Sequence, residues 1–161
     1  MSIKNNFTIV IVTFKSEKVI ETCLNSIDQK YTIIIVENSS NVNFKKNIED
    51  KFPNVKCHLT GSNIGMGSAN NIGIKLAKTD YVLILNPDVK LMKDTIINLT
   101  SEVELIKKFA IAAPIEITDL KGRLITTLDL GNLSIGLHEK NLFLTPYFFL
   151  FVPLCTGPDL D

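Results

Sequence analysis

The chain has no excess charge of either sign: its 161 residues carry 17 Lys plus Arg and 17 Asp plus Glu. With no net field to attract a polyanion, nucleic acid and anionic membrane surfaces lose ground as partners. Cysteine is scarce too. Cys23, Cys57 and Cys155 are odd in number, lack metal-ligand spacing and sit in or beside apolar segments, so they read as reduced core residues and favour a cytoplasmic setting. The polar start Met1-Ser2-Ile3-Lys4-Asn5-Asn6 offers neither a signal-peptide core nor a cleavage site. Long uninterrupted apolar runs are missing as well. The stretch 142–154 is broken by Thr145, Pro146 and Pro153 and cannot span a bilayer as a helix, although it can face a membrane or a partner chain. No repeat or low-complexity tract is present.

What the chain does have is apolar material in short, evenly spaced blocks. At this length and 45% hydrophobic it can bury one core, and it is too short for two ordinary domains. Residues 7–14 are rich in β-branched and aromatic side chains and read as a strand buried on both faces. Ser16 is placed to cap a helix whose apolar positions Val19, Ile20, Cys23, Leu24 and Ile27 recur at helical spacing. A strand at 32–36 runs into the polar loop Glu37-Asn38-Ser39-Ser40-Asn41, and a short helix at 44–52 leads to a strand at 55–59. A turn-rich loop at 61–65 precedes a helix over 67–78. The strand at 81–85 stops on Asn86-Pro87-Asp88; an amphipathic helix over 92–108, a strand at 110–114 and a hairpin turning at 119–123 follow. From Gly131 onward the periodicity fades, and neither strand nor helix is predicted. The alternation predicts an α/β fold with a mainly parallel central sheet and helices on both faces.

Three polar loops follow three of these strands: Thr13-Phe14-Lys15-Ser16, Glu37-Asn38-Ser39-Ser40 and Asn86-Pro87-Asp88. In a parallel sheet their ends share one edge, where open α/β sheets bind ligands. Each loop alone is ordinary turn chemistry, since Asn, Ser and Pro form turns well. Their convergence is what points to a site. Asp88 follows a proline that fixes the turn, which holds its carboxylate outward as an oxygen ligand for Mg2+ or Mn2+. Such an ion, bridging protein and diphosphate, neutralises charge as a phosphate leaving group departs. The plainer alternative is that Asp88 caps the segment 90–93. The run from Asn63 to Gly73 suggests a phosphate cradle, but it lacks the Lys-Ser/Thr ending of a P-loop and the spacing of G-x-G-x-x-G. It offers small residues for close backbone approach and Asn side chains that pin loops or meet a ligand. A dinucleotide-binding dehydrogenase is disfavoured, because the turn Lys15-Ser16-Glu17-Lys18 has no glycine for the pyrophosphate.

Taken in order and spacing, Thr13-Phe14-Lys15, Glu37-Asn38-Ser39-Ser40, the pattern Asn63-x-Gly65-x-x-x-Ala69-x-Asn71-x-Gly73 and Asn86-Pro87-Asp88 resemble the N-terminal half of family 2 glycosyltransferases with the GT-A fold. They are most similar to rhamnosyltransferase-like members, whose Asp-x-Asp motif often reads Asn-Pro-Asp. The resemblance covers residues 7–128. It implies a three-layer, Rossmann-like GT-A domain with a nucleotide-diphosphate-sugar donor bound across the strand ends. It further implies inverting transfer to a glycan or lipid-linked acceptor, dependent on Mg2+ or Mn2+, as in polysaccharide biosynthesis. By the same resemblance Thr13 and Phe14 line the nucleoside site and Glu37 contacts the base. Asn63, Gly65 and Asn71 shape the wall, Asn86 joins the nucleotide-sugar-binding set, and Asp88 holds the metal. Two positions depart from the family pattern. Lys15 stands where Asn is common and either meets phosphate or, the favoured reading, snorkels to solvent. Glu37 stands where Asp is common and reaches a methylene further.

Family members are similar in using a carboxylate base, well downstream of the metal-binding residue, to deprotonate the acceptor hydroxyl. Counted from Asp88, that position falls beyond residue 161, and Asp129, Glu139, Asp159 and Asp161 lack the family's Glu-Asp context. No residue of the chain is expected to serve as the base. The expected division is a nucleotide-sugar-binding core over 1–128 and a tail over 129–161, a partial or diverged acceptor-side region. The chain thus looks like a GT-A domain truncated on its C-terminal side. Two functions remain open: an enzyme, or a non-catalytic nucleotide-sugar-binding remnant that acts with a partner chain. A cytoplasmic location is expected, with the apolar tail able to meet the inner face of the membrane.

Overall fold

Blocks of Val, Ile and Leu with β-branched character favour the pleated backbone, and four of them form the parallel part of one sheet. The computed structural model describes residues 7–104, 116–118, 124–126 and 149–153. In chain order the elements are β1 (Phe7–Thr13), α1 (Ile20–Asn25), β2 (Ile33–Glu37), α2 (Val42–Lys51), β3 (Val55–Leu59), α3 (Met66–Leu76) and β4 (Tyr81–Leu85). Helix α4 (Thr95–Glu104), the hairpin strands β5 (Glu116–Thr118) and β6 (Leu124–Thr126), and β7 (Phe149–Pro153) follow. The main sheet has the order β3-β2-β1-β4-β7. Its first four strands are parallel, and β7 runs antiparallel beside β4 with Leu85 opposite Phe149.

Successive strand residues point to opposite faces, and both faces are apolar, so two cores form. On one side Ile9, Ile11, Ile33, Ile35, Leu83 and Leu85 pack with Cys23 and Leu24 of α1, Phe44 and Ile48 of α2, and Ile96 and Leu99 of α4. On the other, Val10, Ile34, Val36, Val82 and Ile84 pack with Ala69 of α3. Helix α3 lies unusually close to the sheet at Gly73. A Cβ there would stand 2.3 Å from Val10 Cγ1 and 3.2 Å from Val36 Cγ2. The sequence pattern that ends on Gly73 therefore marks a packing requirement.

Several expected boundaries shift, for physical reasons. Helix α1 begins at Ile20 and is not capped by Ser16, because the Ser16 hydroxyl is engaged with the backbone of Phe14 at 3.3 Å. The Ser16 carbonyl instead accepts from Val19 N and Ile20 N at 3.1 Å. Helix α4 starts at Thr95, after the Met92 carbonyl has closed a turn by accepting from Thr95 N at 3.0 Å. The stretch left without assignment contributes β7: Phe149–Pro153 is apolar throughout and therefore shows no period to detect. The expected strand at 110–114 lies outside the described residues.

Cys23 and Cys57 are buried free thiols. Burial, with the Asp88 charge a lesser cause, pushes the Cys23 thiol up from 9.0 to about 12. Burial, with Glu49 and Glu37 nearby, does the same for Cys57. The folded state thus keeps protons that the unfolded chain releases above pH 9, so the sign is destabilising as pH rises. Between pH 9 and 12 each thiol should lower stability by about 1.4 kcal/mol per pH unit, with no contribution below that window. Urea midpoints at pH 8, 9 and 10 check this, and Cys23→Ala should show a shallower decline. Gly73→Ala should cost about 1 to 3 kcal/mol by overpacking, read as a lowered melting temperature.

Candidate functional site

The strand order places the crossover point between β1 and β4: the chain moves outward from β1 through β2 to β3, then returns to β1's other side. Loops leaving β1 and β4 must diverge there, and a crevice opens at their C-terminal ends. A cleft of about 550 Å³ occupies this position. Its apolar wall is Phe14, Val19 and Met66, all more than a third exposed. Asn38, Asn63 and Asn70 supply amides, and Asn86-Pro87-Asp88 closes the β4 side. A second hollow, of about 40 Å³ beside Tyr31 and Leu91, has room for a few waters and none for a nucleotide.

Strand parity decides which expected residues face the cleft. Val12 and Phe14 belong to the α3 side and line it. Thr13 and Glu37 have the opposite parity, shared with Ile11 and Ile35, and lie buried rather than in the cleft wall. They are partners in the β1–β2 register. Thr13 Oγ1 donates to Glu37 Oε2 at 2.6 Å, and Ser39 Oγ donates to Oε1. Among the described residues no Lys or Arg forms an ion pair with Glu37. Hydroxyls alone stabilise its carboxylate there.

Asn38 was absent from the expected site residues, yet it holds the cleft's far wall. It is 3% exposed. Its Oδ1 accepts from Ile64 N at 2.9 Å and from Thr60 Oγ1 at 3.2 Å, and its Nδ2 donates to Asn63 Oδ1 at 2.9 Å. Asn63 Oδ1 also accepts from Gly65 N at 3.0 Å, which fixes the turn where Gly65 takes φ 83°. Asn63 thus lines the cleft, while Gly65 shapes the loop behind it. Asn71 is exposed outside the cleft; its neighbour Asn70 lines it. The Asn70 Oδ1 atom is buried and accepts no hydrogen bond among the described residues. A buried acceptor left without a donor is costly, and a ligand N–H or O–H would satisfy it. An Asn-Asn pair at a helix start is the signal that separates the two, once the helix phase is known.

The segment carrying Asp88 is fastened to α1 at two points. The Asn86 carbonyl accepts from Cys23 Sγ at 3.7 Å, and Leu91 N donates to Ser26 Oγ at 2.9 Å. Between these points Asp88 is exposed and lines the cleft. Among the described residues it forms no salt bridge, and no group of three or more His, Cys, Asp or Glu gathers to hold a metal. One exposed carboxylate fits a cation of the Mg2+ or Mn2+ kind, which takes one or two protein oxygens and fills its shell with phosphate and water. Lys15, which also lines the cleft, has φ 54°, the one non-glycine residue with a left-handed backbone among those described. That conformation costs on the order of 1 to 3 kcal/mol.

The family model described as Glycosyl transferase family 2 matches residues 8–148. A curated relative, an uncharacterized glycosyltransferase of Haemophilus influenzae, is 34% identical over 70 residues, which are 42% of this chain and 28% of that protein. Among solved structures, Staphylococcus aureus TarS in complex with UDP-GlcNAc is similar with a TM-score of 0.53 at 19% identity, over 73% of this chain and 41% of TarS 1-349. The mannosyltransferase PcManGT from Pyrobaculum calidifontis, in complex with GDP-Man and Mn2+, gives 0.57 at 17% identity, over 71% of this chain and 36% of that one. These likenesses establish a shared GT-A fold. The chain spans less than half the length of each of these relatives.

Asn38→Ala removes a buried group that accepts two hydrogen bonds and donates a third. It should cost about 2 kcal/mol or more of stability, and hydrogen exchange should show the Ile64 and Gly65 amides losing protection before the strand amides do.

Proposed function

The chain belongs to glycosyl transferase family 2, and on that premise we propose that its cleft binds a nucleotide-diphosphate-sugar from which the sugar passes to a glycan or lipid-linked acceptor. The observation that carries this reading is the cleft's mixed lining. Phe14, Val19 and Met66 supply an aromatic and aliphatic surface, and Asp88 supplies a single carboxylate. A nucleotide sugar offers the matching chemistry: a flat base, a diphosphate and a sugar.

In this arrangement Phe14 stacks on the base, and Asn63 and Asn70 offer amide groups to its edge or to the ribose. Thr13 and Glu37 act from beneath. Glu37 is buried and outside the cleft lining, with a hydroxyl on each carboxylate oxygen, so its role is to hold the β1 and β2 ends in register. Gly65 sets the loop that presents Asn63, and Asn71 flanks the site from the helix's outer side. Asn86 and Pro87 fix the position of Asp88, whose carboxylate would hold Mg2+ or Mn2+. Such an ion, when bound, neutralises charge on the departing diphosphate. The Mn2+ bound by the mannosyltransferase with this fold supports that assignment.

The transfer proposed is inverting. The acceptor oxygen forms a bond to the anomeric carbon as the bond from that carbon to the phosphate oxygen breaks; the nucleoside diphosphate leaves, and the acceptor proton goes to a carboxylate base that the residues of this chain are not expected to supply. A cytoplasmic setting for polysaccharide assembly is consistent with the free thiols Cys23 and Cys57. Among the described residues no helix is long and apolar enough to cross a membrane.

Asp88→Ala should abolish the Mn2+-dependent part of donor binding and cost about 3 kcal/mol or more in turnover. Calorimetry with a nucleoside diphosphate and Mn2+ reads the first effect, and donor hydrolysis or transfer reads the second. Unchanged Mn2+-dependent affinity would remove Asp88 from the metal site.

A further inference from the structure

The cleft contains a cation that the family pattern does not provide. Lys15 stands where Asn is common in the resembling family, at the turn directly after β1. Four observations distinguish it from a solvated surface lysine. Its backbone is held left-handed at φ 54°, a conformation that a lysine does not adopt by preference. The turn is braced on both sides: Phe14 N donates to Ser16 Oγ, and Ser16 Oγ reaches the Phe14 carbonyl, each at 3.3 Å. The ammonium lies 5.4 Å from the centroid of the Phe14 ring, the same ring that forms the cleft's aromatic wall, so the charge stays at the cleft and does not extend away from it. Finally, Lys15 and Asp88 line the same cleft without forming a salt bridge, and among the described residues no carboxylate pairs with Lys15.

Two opposite charges that line one cleft without pairing suit a ligand that needs both. A diphosphate offers oxygens to a metal on Asp88 and further oxygens to the Lys15 ammonium. From this geometry we propose that Lys15 is a donor-binding residue that contacts the diphosphate and shares with the Asp88-bound metal the neutralisation of its charge. The inference rests on the nucleotide-sugar reading of the cleft and adds to it a source of diphosphate affinity that does not require metal. A lysine suits the place: its ammonium is a compact point charge on a flexible stem, able to follow the phosphates as the sugar leaves.

The test is calorimetry with UDP, GDP and dTDP, each in Mn2+ and in EDTA, on the wild-type chain and on Lys15→Asn, which accepts a left-handed backbone and removes the charge. For the nucleotide that wild type prefers, Lys15→Asn should bind about 10-fold more weakly in both conditions, a loss typical of one charge-assisted hydrogen bond. The corresponding nucleoside should bind both proteins equally, and Lys15→Arg should stay within about 3-fold of wild type, since the charge is kept. Equal diphosphate affinity in wild type and Lys15→Asn overturns the inference. So does an equal loss for nucleoside and diphosphate, which would mean that the substitution deforms the cleft. A wild-type chain that binds none of the three diphosphates with Mn2+ overturns the nucleotide-sugar reading itself, whereas a failure confined to the Lys15→Asn comparison leaves that reading standing.

Discussion

A carboxylate buried at the end of β2 is the constraint on which the site depends. Glu37 is 2% exposed, and an ionised carboxylate taken from water costs several kcal/mol unless its oxygens are met by donors. Thr13 meets one oxygen from β1 and Ser39 meets the other from the following loop. The bond pattern continues through the backbone. Asn38 N donates to the Thr13 carbonyl at 2.7 Å, and Thr60 N donates to the Glu37 carbonyl at 3.1 Å. Three consecutive strand ends, β1, β2 and β3, are thereby tied at one edge. Loss of the Thr13 or Ser39 hydroxyl would leave one buried carboxylate oxygen without its donor, which opposes independent drift of the loops.

From this tie the cleft follows. With the β2 end fixed, Asn38 emerges with the opposite parity and carries its amide to Asn63 and to the Ile64 backbone. That positions the start of α3, which in turn can approach the sheet only because Gly73 has no side chain against Val10. The close approach brings Asn70 over the cleft floor. On the other side α1 fastens the segment after β4 through Cys23 and Ser26. The frame is thus fixed from beneath, while the ligand-facing surface consists of an aromatic ring, amides and two charges.

Much of the fold was legible because period and composition agree. The both-face-buried runs of β1, β2 and β4 and the regular alternation with helices required a parallel sheet, and the three polar loops converged where such a sheet demands. Asp88 was legible for the same reason, as an acidic group in the turn that ends a continuous apolar strand. What escaped was information carried by parity and phase. Thr13 and Glu37 sit at strand ends like true lining residues, but a one-residue offset turns their side chains to the other face. Asn70 and Asn71 are indistinguishable until the helix phase is fixed by Ala69 and Gly73 packing inward. Strand β7 was invisible because a uniformly apolar run has no period, and the backbone of Lys15 because nothing in a lysine announces positive φ.

The division of labour between frame and charges bears on how such a site discriminates. On the proposed reading, Asn63 would meet the base from a position that buried hydrogen bonds dictate, so little ordering entropy would remain to be lost there on binding. The phosphates would meet Asp88 and Lys15, which are exposed and form no salt bridge among the described residues. A salt bridge between these two would compete with the diphosphate for both of them. Left unpaired, each charge is available to the ligand. The partnerless Oδ1 of Asn70 adds to this: it is an unfavourable feature of the free protein that a ligand N–H or O–H would relieve.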